Sequence, residues 1–196
     1  QILDASQLYN NFESILRLAN TIFHDQGIDL SIVDFGGGFG VPYFEHEQAI
    51  DLQGLGEKIS RLFDIEAKGL VDNGCRFIVE SGRYLLADAG VFVAKVLYKK
   101  KSMGTDYLVL DGGSNYHSTL SGMGKIVRQN FPFSVINQGR SLSHSTGSKQ
   151  YDIVGPLCTP KDTLAKSVSI ESVDVGDLIV FPNSGAYGLS YSQNQF

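Results

Sequence analysis

Apolar residues at Leu8, Phe12, Ile15, Leu16, Leu18, Ala19, Ile22 and Phe23 recur at helical spacing and predict an amphipathic helix over residues 5–26. Asp4 or Ser6 is the expected N-cap, and Gly27 the stop. A short apolar run, Ser31 to Phe35, predicts a strand that halts at Gly36, Gly37 and Gly38, with Gly40 close behind. Helical spacing returns from Leu55 to Asn73, where Ile59, Leu62, Phe63, Ala67, Leu70 and Val71 share a face and Gly74 terminates the run. "CRFIVE", residues 75–80, predicts a second strand ending at Glu80. Helices alternating with nearly all-apolar strands are the pattern of a buried parallel sheet.

The period changes after Asp88. "GVFVAKVLYKKK", "DYLVLDGG", "FPFSVIN", "YDIVGPLC" and "DLIVFP" are short β runs separated by Gly, Pro, Asn and Asp turns. Helical spacing nearly vanishes, so the sequence predicts part of an α/β domain up to residue 88 and an all-β domain from residue 89 to 196. The chain opens on Gln1 instead of an initiator Met and stops within "SYSQNQF", and is expected to be an internal piece of a longer protein whose β domain is cut short at its end.

Composition narrows the classes. With 42% hydrophobic and 19% charged residues and a net charge of −5, the chain has no basic stripe to hold nucleic acid or anionic lipid. No apolar run approaches a membrane span and no signal peptide opens the chain. Two cysteines, Cys75 and Cys158, make no disulfide framework, and the expected compartment is the cytoplasm. His24, His46, His117 and His144 have no metal-ligand spacing, and no metal site is expected; His117 draws notice because it follows "LDGGSNY".

Four stretches carry candidate chemistry. The glycines at residues 36–38 end a strand, where parallel α/β folds build their sites, and fit either a tight turn or a cradle of backbone amides for an anion. They are no nucleotide P-loop, since no Gly-Lys-Ser/Thr follows. "ESGR" puts Glu80 and Arg83 at the end of the next strand, as a salt bridge or as site residues. "VGPLCTPKD" frames Cys158 with Gly and Pro, as filler or as reagent. "NSGAYGLSY" sets Tyr187 on a loop, as a packing residue or a phenol donor.

The order of these motifs, with "LDGG" between them, resembles the pyridoxal-phosphate-dependent decarboxylases of the ornithine/diaminopimelate/arginine group, which share a fold with alanine racemase. "GPLCTPKDTLA" and "FPNSGAYGLSYS" look most like the decarboxylases of butirosin-type antibiotic and exopolysaccharide gene clusters. The resemblance implies that residues 1–88 are the last part of a (β/α)8 TIM-type barrel and that residues 89–196 are a C-terminal β domain, a Greek-key barrel or sandwich. It implies pyridoxal 5'-phosphate as cofactor, cradled by Gly36, Gly37 and Gly38, with Glu80, Ser81, Gly82, Arg83 and Tyr187 also binding it. Cys158 becomes a catalytic acid supplied by the partner subunit of a homodimer with shared active sites, and Asp111, Thr159 and Asp162 become substrate-binding residues. The activity implied is α-decarboxylation of an amino acid, free, carrier-linked or otherwise modified.

Three departures bear on the substrate. Ser81 stands where the family has proline, which loosens the loop and keeps both charges. Thr159 stands where ornithine and diaminopimelate enzymes carry an acid for the substrate's distal amine, and "SNYHSTLSGMGK" lacks the Arg and Tyr that hold a distal carboxylate. The family's cofactor-bearing lysine lies on an earlier strand, and none of Lys58, Lys68, Lys95 or Lys99 to Lys101 matches its context, so this chain alone is not expected to catalyse. A same-fold racemase and a non-catalytic, cofactor-binding or regulatory homologue are the alternatives; Glu80 argues against the first and Cys158 against the second.

Overall fold

The structure, a computed structural model, describes residues 1–122, 129–137, 147–192 and 195, and divides into two compact units, Gln1–Leu85 and Leu86–Phe196. In the first unit the Asp4 carboxylate accepts from the Ser6 amide (2.8 Å) and starts α1, Ala5–Asn20. Leu8, Phe12, Leu16 and Ala19 form its buried stripe. The helix runs on as a π-helical turn, Thr21–Asp25, and ends where Gly27 takes φ +65°. β1 (Ile32–Asp34) pairs in parallel with β2 (Arg76–Ile78), Val33 opposite Phe77. Between them lie α2 (Leu52–Glu66), capped by Asp51 on the Gly54 amide, and α3 (Lys68–Asp72). The sequence predicts one helix here; the structure interrupts it at Ala67, which is fully buried at φ −95°, ψ −6°.

Phe35 sits directly before the glycines and is 6% exposed. It stacks on Phe12 (ring centroids 4.5 Å apart) and lies 5.6 Å from Phe63 and 6.0 Å from Phe77. Each such pair contributes about 0.5–1.5 kcal/mol beyond its buried area. This aromatic cluster, with Leu16, Leu62 and Leu70, anchors the end of β1 on the helices, so the turn that follows starts from a fixed point.

After α4 (Gly82–Leu86) and a 3-10 turn, Ala87–Ala89, the second unit is a six-stranded mixed sheet. Its strands are β3 (Phe92–Ser102), β4 (Thr105–Leu110), β5 (Ser134–Ile136), β6 (Lys149–Val154), β7 (Thr163–Ile170) and β8 (Leu178–Phe181). Their order is β5-β8-β3-β4-β6-β7. β3 and β4 form a hairpin whose two loop residues, Met103 and Gly104, both have positive φ, the type I′ requirement. β4 and β6 pair in parallel, and every other neighbouring pair is antiparallel. Val96, Leu108, Leu110, Ile153, Leu164, Ile179 and Phe181 fill its core.

β7 is the strand the pattern did not announce. Lys166 and Ser167 are both exposed in mid-run, Ser167 at φ +50° with its amide on the Asp152 carboxylate (2.8 Å). That irregularity breaks the period-two alternation from which a strand is read.

Candidate functional site

In the first unit the chain builds a paired turn beyond the ends of β1 and β2. Asp34 accepts from the Gly36 amide (2.8 Å), bending the chain, and Gly36 has φ +67°. The Gly36 carbonyl accepts from the Glu80 amide (2.8 Å), carrying the strand pairing past the glycine. A Cβ at Gly37 would collide with the Glu80 carbonyl oxygen, and Gly38 has φ +93°. The Gly38 carbonyl accepts from Ile2 (2.7 Å), whose own carbonyl accepts from Gly40 (2.9 Å). The sequence left a tight turn and an anion cradle both open; the chain itself supplies a reason for each glycine. What remains for a ligand is the amide pair of Gly37 and Gly38, which has no hydrogen-bond partner among the described residues.

Glu80, Ser81, Gly82 and Arg83 sit beside this turn. Glu80 is exposed, and its carbonyl accepts from Gly82 (3.0 Å), turning the chain into α4. Arg83 donates to the Tyr43 hydroxyl (3.0 Å), and its guanidinium stands 5.8 Å from the centre of the Tyr43 ring. Tyr43 is itself held, because the Glu47 carboxylate accepts from the amides of Tyr43 (2.7 Å) and Phe44 (3.2 Å). Sequence reasoning passed over Tyr43; its signal was an aromatic residue following the glycines in "GVPYF".

The second unit gathers the other candidates on three loops. Asp111 pairs with Lys95, accepting from its amide (2.8 Å) and donating its own amide to the Lys95 carbonyl (3.0 Å). It lines a cavity of about 440 Å³ with Phe92, Tyr116, His117, Ser184 and Leu189. His117 is 5% exposed, and burial pushes its pKa down to about 4, so the ring is neutral at pH 7. Its Nδ1 lies 2.8 Å from Thr119 Oγ1 and its ring meets Phe92 edge-on at 5.7 Å. Tyr187, on the loop across this cavity, is exposed at φ +60°, a conformation rare for a bulky side chain.

Cys158 is an exposed free thiol, whereas Cys75 is buried, its pKa raised by desolvation. Thr159 follows Cys158, half-buried, and lines a second cavity of about 430 Å³ with Lys100, Tyr107, Val154 and Lys166. Asp162 lines the same cavity. It is 2% exposed, with one carboxylate oxygen accepting from the Ser114 amide (2.6 Å) and the other from Leu157 (2.8 Å). Its geometry is that of a group holding two loops. Among the described residues no cluster of three or more His, Cys, Asp or Glu side chains could hold a metal ion, and no helix is long and apolar enough to cross a membrane. His144 lies outside the described residues.

Residues 8–185 match the family model described as "Pyridoxal-dependent decarboxylase, C-terminal sheet domain". The whole chain is 38% identical to L-glutamyl-[BtrI acyl-carrier protein] decarboxylase of Niallia circulans, and covers 45% of that protein. It is 32% identical, over 99% of its length, to diaminopimelate decarboxylase of Campylobacter jejuni, and covers 44% of it. The crystal structure of diaminopimelate decarboxylase from Helicobacter pylori complexed with L-lysine superposes with a TM-score of 0.75 at 28% identity, over 98% of this chain and 43% of that one. The chain thus spans less than half the length of these relatives. It belongs to the pyridoxal-dependent decarboxylase family.

Proposed function

We propose that the full-length protein is a pyridoxal-phosphate-dependent amino-acid α-decarboxylase whose substrate is tethered to a carrier protein or otherwise modified. The observation that carries this reading is the paired turn, with the Gly37 and Gly38 amides, which have no partner among the described residues, next to exposed Glu80. The residues fit the cofactor: adjacent backbone amides suit a phosphate, and a strand-end carboxylate suits a pyridine nitrogen. Bound there, pyridoxal phosphate supplies an electron sink for cleavage of the carbon–carboxylate bond.

The chain's own residues then divide the work. Glu80 keeps a proton on the ring nitrogen. Arg83, fixed by Tyr43, holds positive charge at the phosphate or the substrate, and Tyr187 donates to the phosphate. Cys158, from the partner subunit of a homodimer, returns a proton to the substrate carbon after carbon dioxide leaves. Asp111 and Thr159 face the substrate; neutral Thr159 suits one without a free distal amine, in keeping with the carrier-linked substrate in the Niallia circulans protein's name.

Residues 1–88 supply the last strands of a (β/α)8 barrel, supported by parallel β1 and β2, each preceded by helix, and by the exposed apolar Ile32, Ile78 and Val79. Residues 89–196 belong to a C-terminal β domain, a Greek-key barrel or sandwich, and the enzyme works in the cytoplasm. The test is carbon dioxide release by the full-length protein from a panel of free and carrier-linked amino acids, with cofactor absorbance read before and after borohydride. Release from a carrier-linked substrate supports the reading. Borohydride-insensitive absorbance with no release from any substrate overturns it.

A further inference from the structure

We propose that Asp162 is a positioning residue that sets where the Cys158 thiol is presented, an inference that rests on the reading of Cys158 as the proton donor. The residues on both sides of Cys158 are pinned to Asp162. The Leu157 amide donates to its Oδ2 (2.8 Å), and the Thr159 carbonyl accepts from its amide (3.1 Å). The loop is closed at its base, because the Asp162 carbonyl accepts from the Gly155 amide (2.9 Å). Cys158 is left exposed at the tip between two anchors.

The same carboxylate reaches a second loop. Its Oδ1 accepts from the Ser114 amide (2.6 Å), 48 residues away in the turn that begins at Asp111. Gly113 and Gly155 allow this approach, since a Cβ at either would collide with the Asp162 carboxylate. Asp162 is 2% exposed and has no cationic partner among the described residues, so backbone amides are its counterpart. Two main-chain donors on a buried carboxylate fix direction as well as distance, and hydrogen bonds to a charged acceptor are the strong ones. One side chain therefore holds the thiol loop in register with the Asp111 turn.

The experiment uses full-length, cofactor-loaded wild type, Asp162→Asn, Asp162→Glu and Cys158→Ala. Three quantities are read: hydrogen exchange of peptides spanning residues 111–117 and 155–162, alkylation of Cys158 by iodoacetamide with buried Cys75 as the internal reference, and the ratio of amine to aldehyde product. Asp162→Asn keeps shape but replaces one acceptor oxygen by an amide donor. It should speed exchange about tenfold in both peptides and change the alkylation rate at least about threefold. The amine fraction should fall towards that of Cys158→Ala while carbon dioxide release persists.

Faster exchange with wild-type alkylation and wild-type product ratio overturns the proposal, because it leaves Asp162 with fold stability alone. Clean amine from Cys158→Ala at normal rate defeats the proton-donor reading instead, and the alkylation rate then decides the positioning. If Asp162→Asn does not fold, Asp162→Glu, which retains the charge one methylene further out, should show the same alkylation change, and a wild-type rate there overturns the proposal.

Discussion

Gly37→Ala places a methyl group against the main-chain carbonyl of Glu80, with the Glu80 carbonyl carbon another 3.4 Å from the same position. Neither atom can rotate away, so the ends of β1 and β2 must separate, straining the Glu80-to-Gly36 hydrogen bond (2.8 Å). Overpacking of this kind and the weakened bond together cost about 2–4 kcal/mol. Gly36→Ala is the control: no atom lies within 4 Å of its added methyl, and its penalty is the left-handed φ of +67°, roughly 1–2 kcal/mol. Asn tolerates that conformation, so Gly36→Asn should recover stability relative to Gly36→Ala, whereas no polar residue rescues position 37. Urea midpoints of the cofactor-free full-length protein rank the variants, and a pyridoxal phosphate titration follows the site. Cofactor affinity and stability should fall together at position 37, because the clash moves Glu80 itself. A Gly37→Ala protein as stable as wild type, or more stable than Gly36→Ala, refutes the reasoning.

Glu80→Gln should retain cofactor in the full-length protein yet lower turnover about a hundredfold, since losing one charged contact at a preorganised site costs on the order of 3 kcal/mol; unchanged turnover in steady-state assays makes Glu80 structural. Cys158→Ala should go on releasing carbon dioxide while aldehyde replaces amine, and mixing its subunits with subunits lacking the cofactor-bearing lysine should restore one working site per dimer; chromatographic product ratios and mixed-dimer activity check this. The His117 pKa falls from 6.5 to about 4 on burial, so below pH 6.5 the unfolded chain takes up the proton first. Its contribution is therefore complete above pH 6.5 and is lost as pH falls towards 4, roughly 3 kcal/mol in all, and thermal melts of wild type and His117→Gln should diverge across that window.

Much of the fold was written locally. The helical stripe of α1 needs only the 3.6-residue period, and Asp4 caps it because its carboxylate accepts from the Ser6 amide, which has no partner within the helix. Positive φ at Gly27 and Gly74 goes with a glycine just past a helix end. The strands on either side of the glycines were legible for the same reason, as apolar runs bounded by turn residues.

Tertiary structure decided what depends on contacts between distant residues. β4 and β6 lie some forty residues apart and pair in parallel, which no local period encodes. β7 emerged although its pattern is broken at Ser167, because its pairing with β6 outweighs the irregularity. In "GPLCTPKD" the type of Asp162 was visible, but its burial and its bond to Ser114 across 48 residues were not. Sequence determines which groups are available and their local conformation, through sterics and period. Which groups are buried, and which distant loops one carboxylate ties together, is set by the packing of segments that no local period relates.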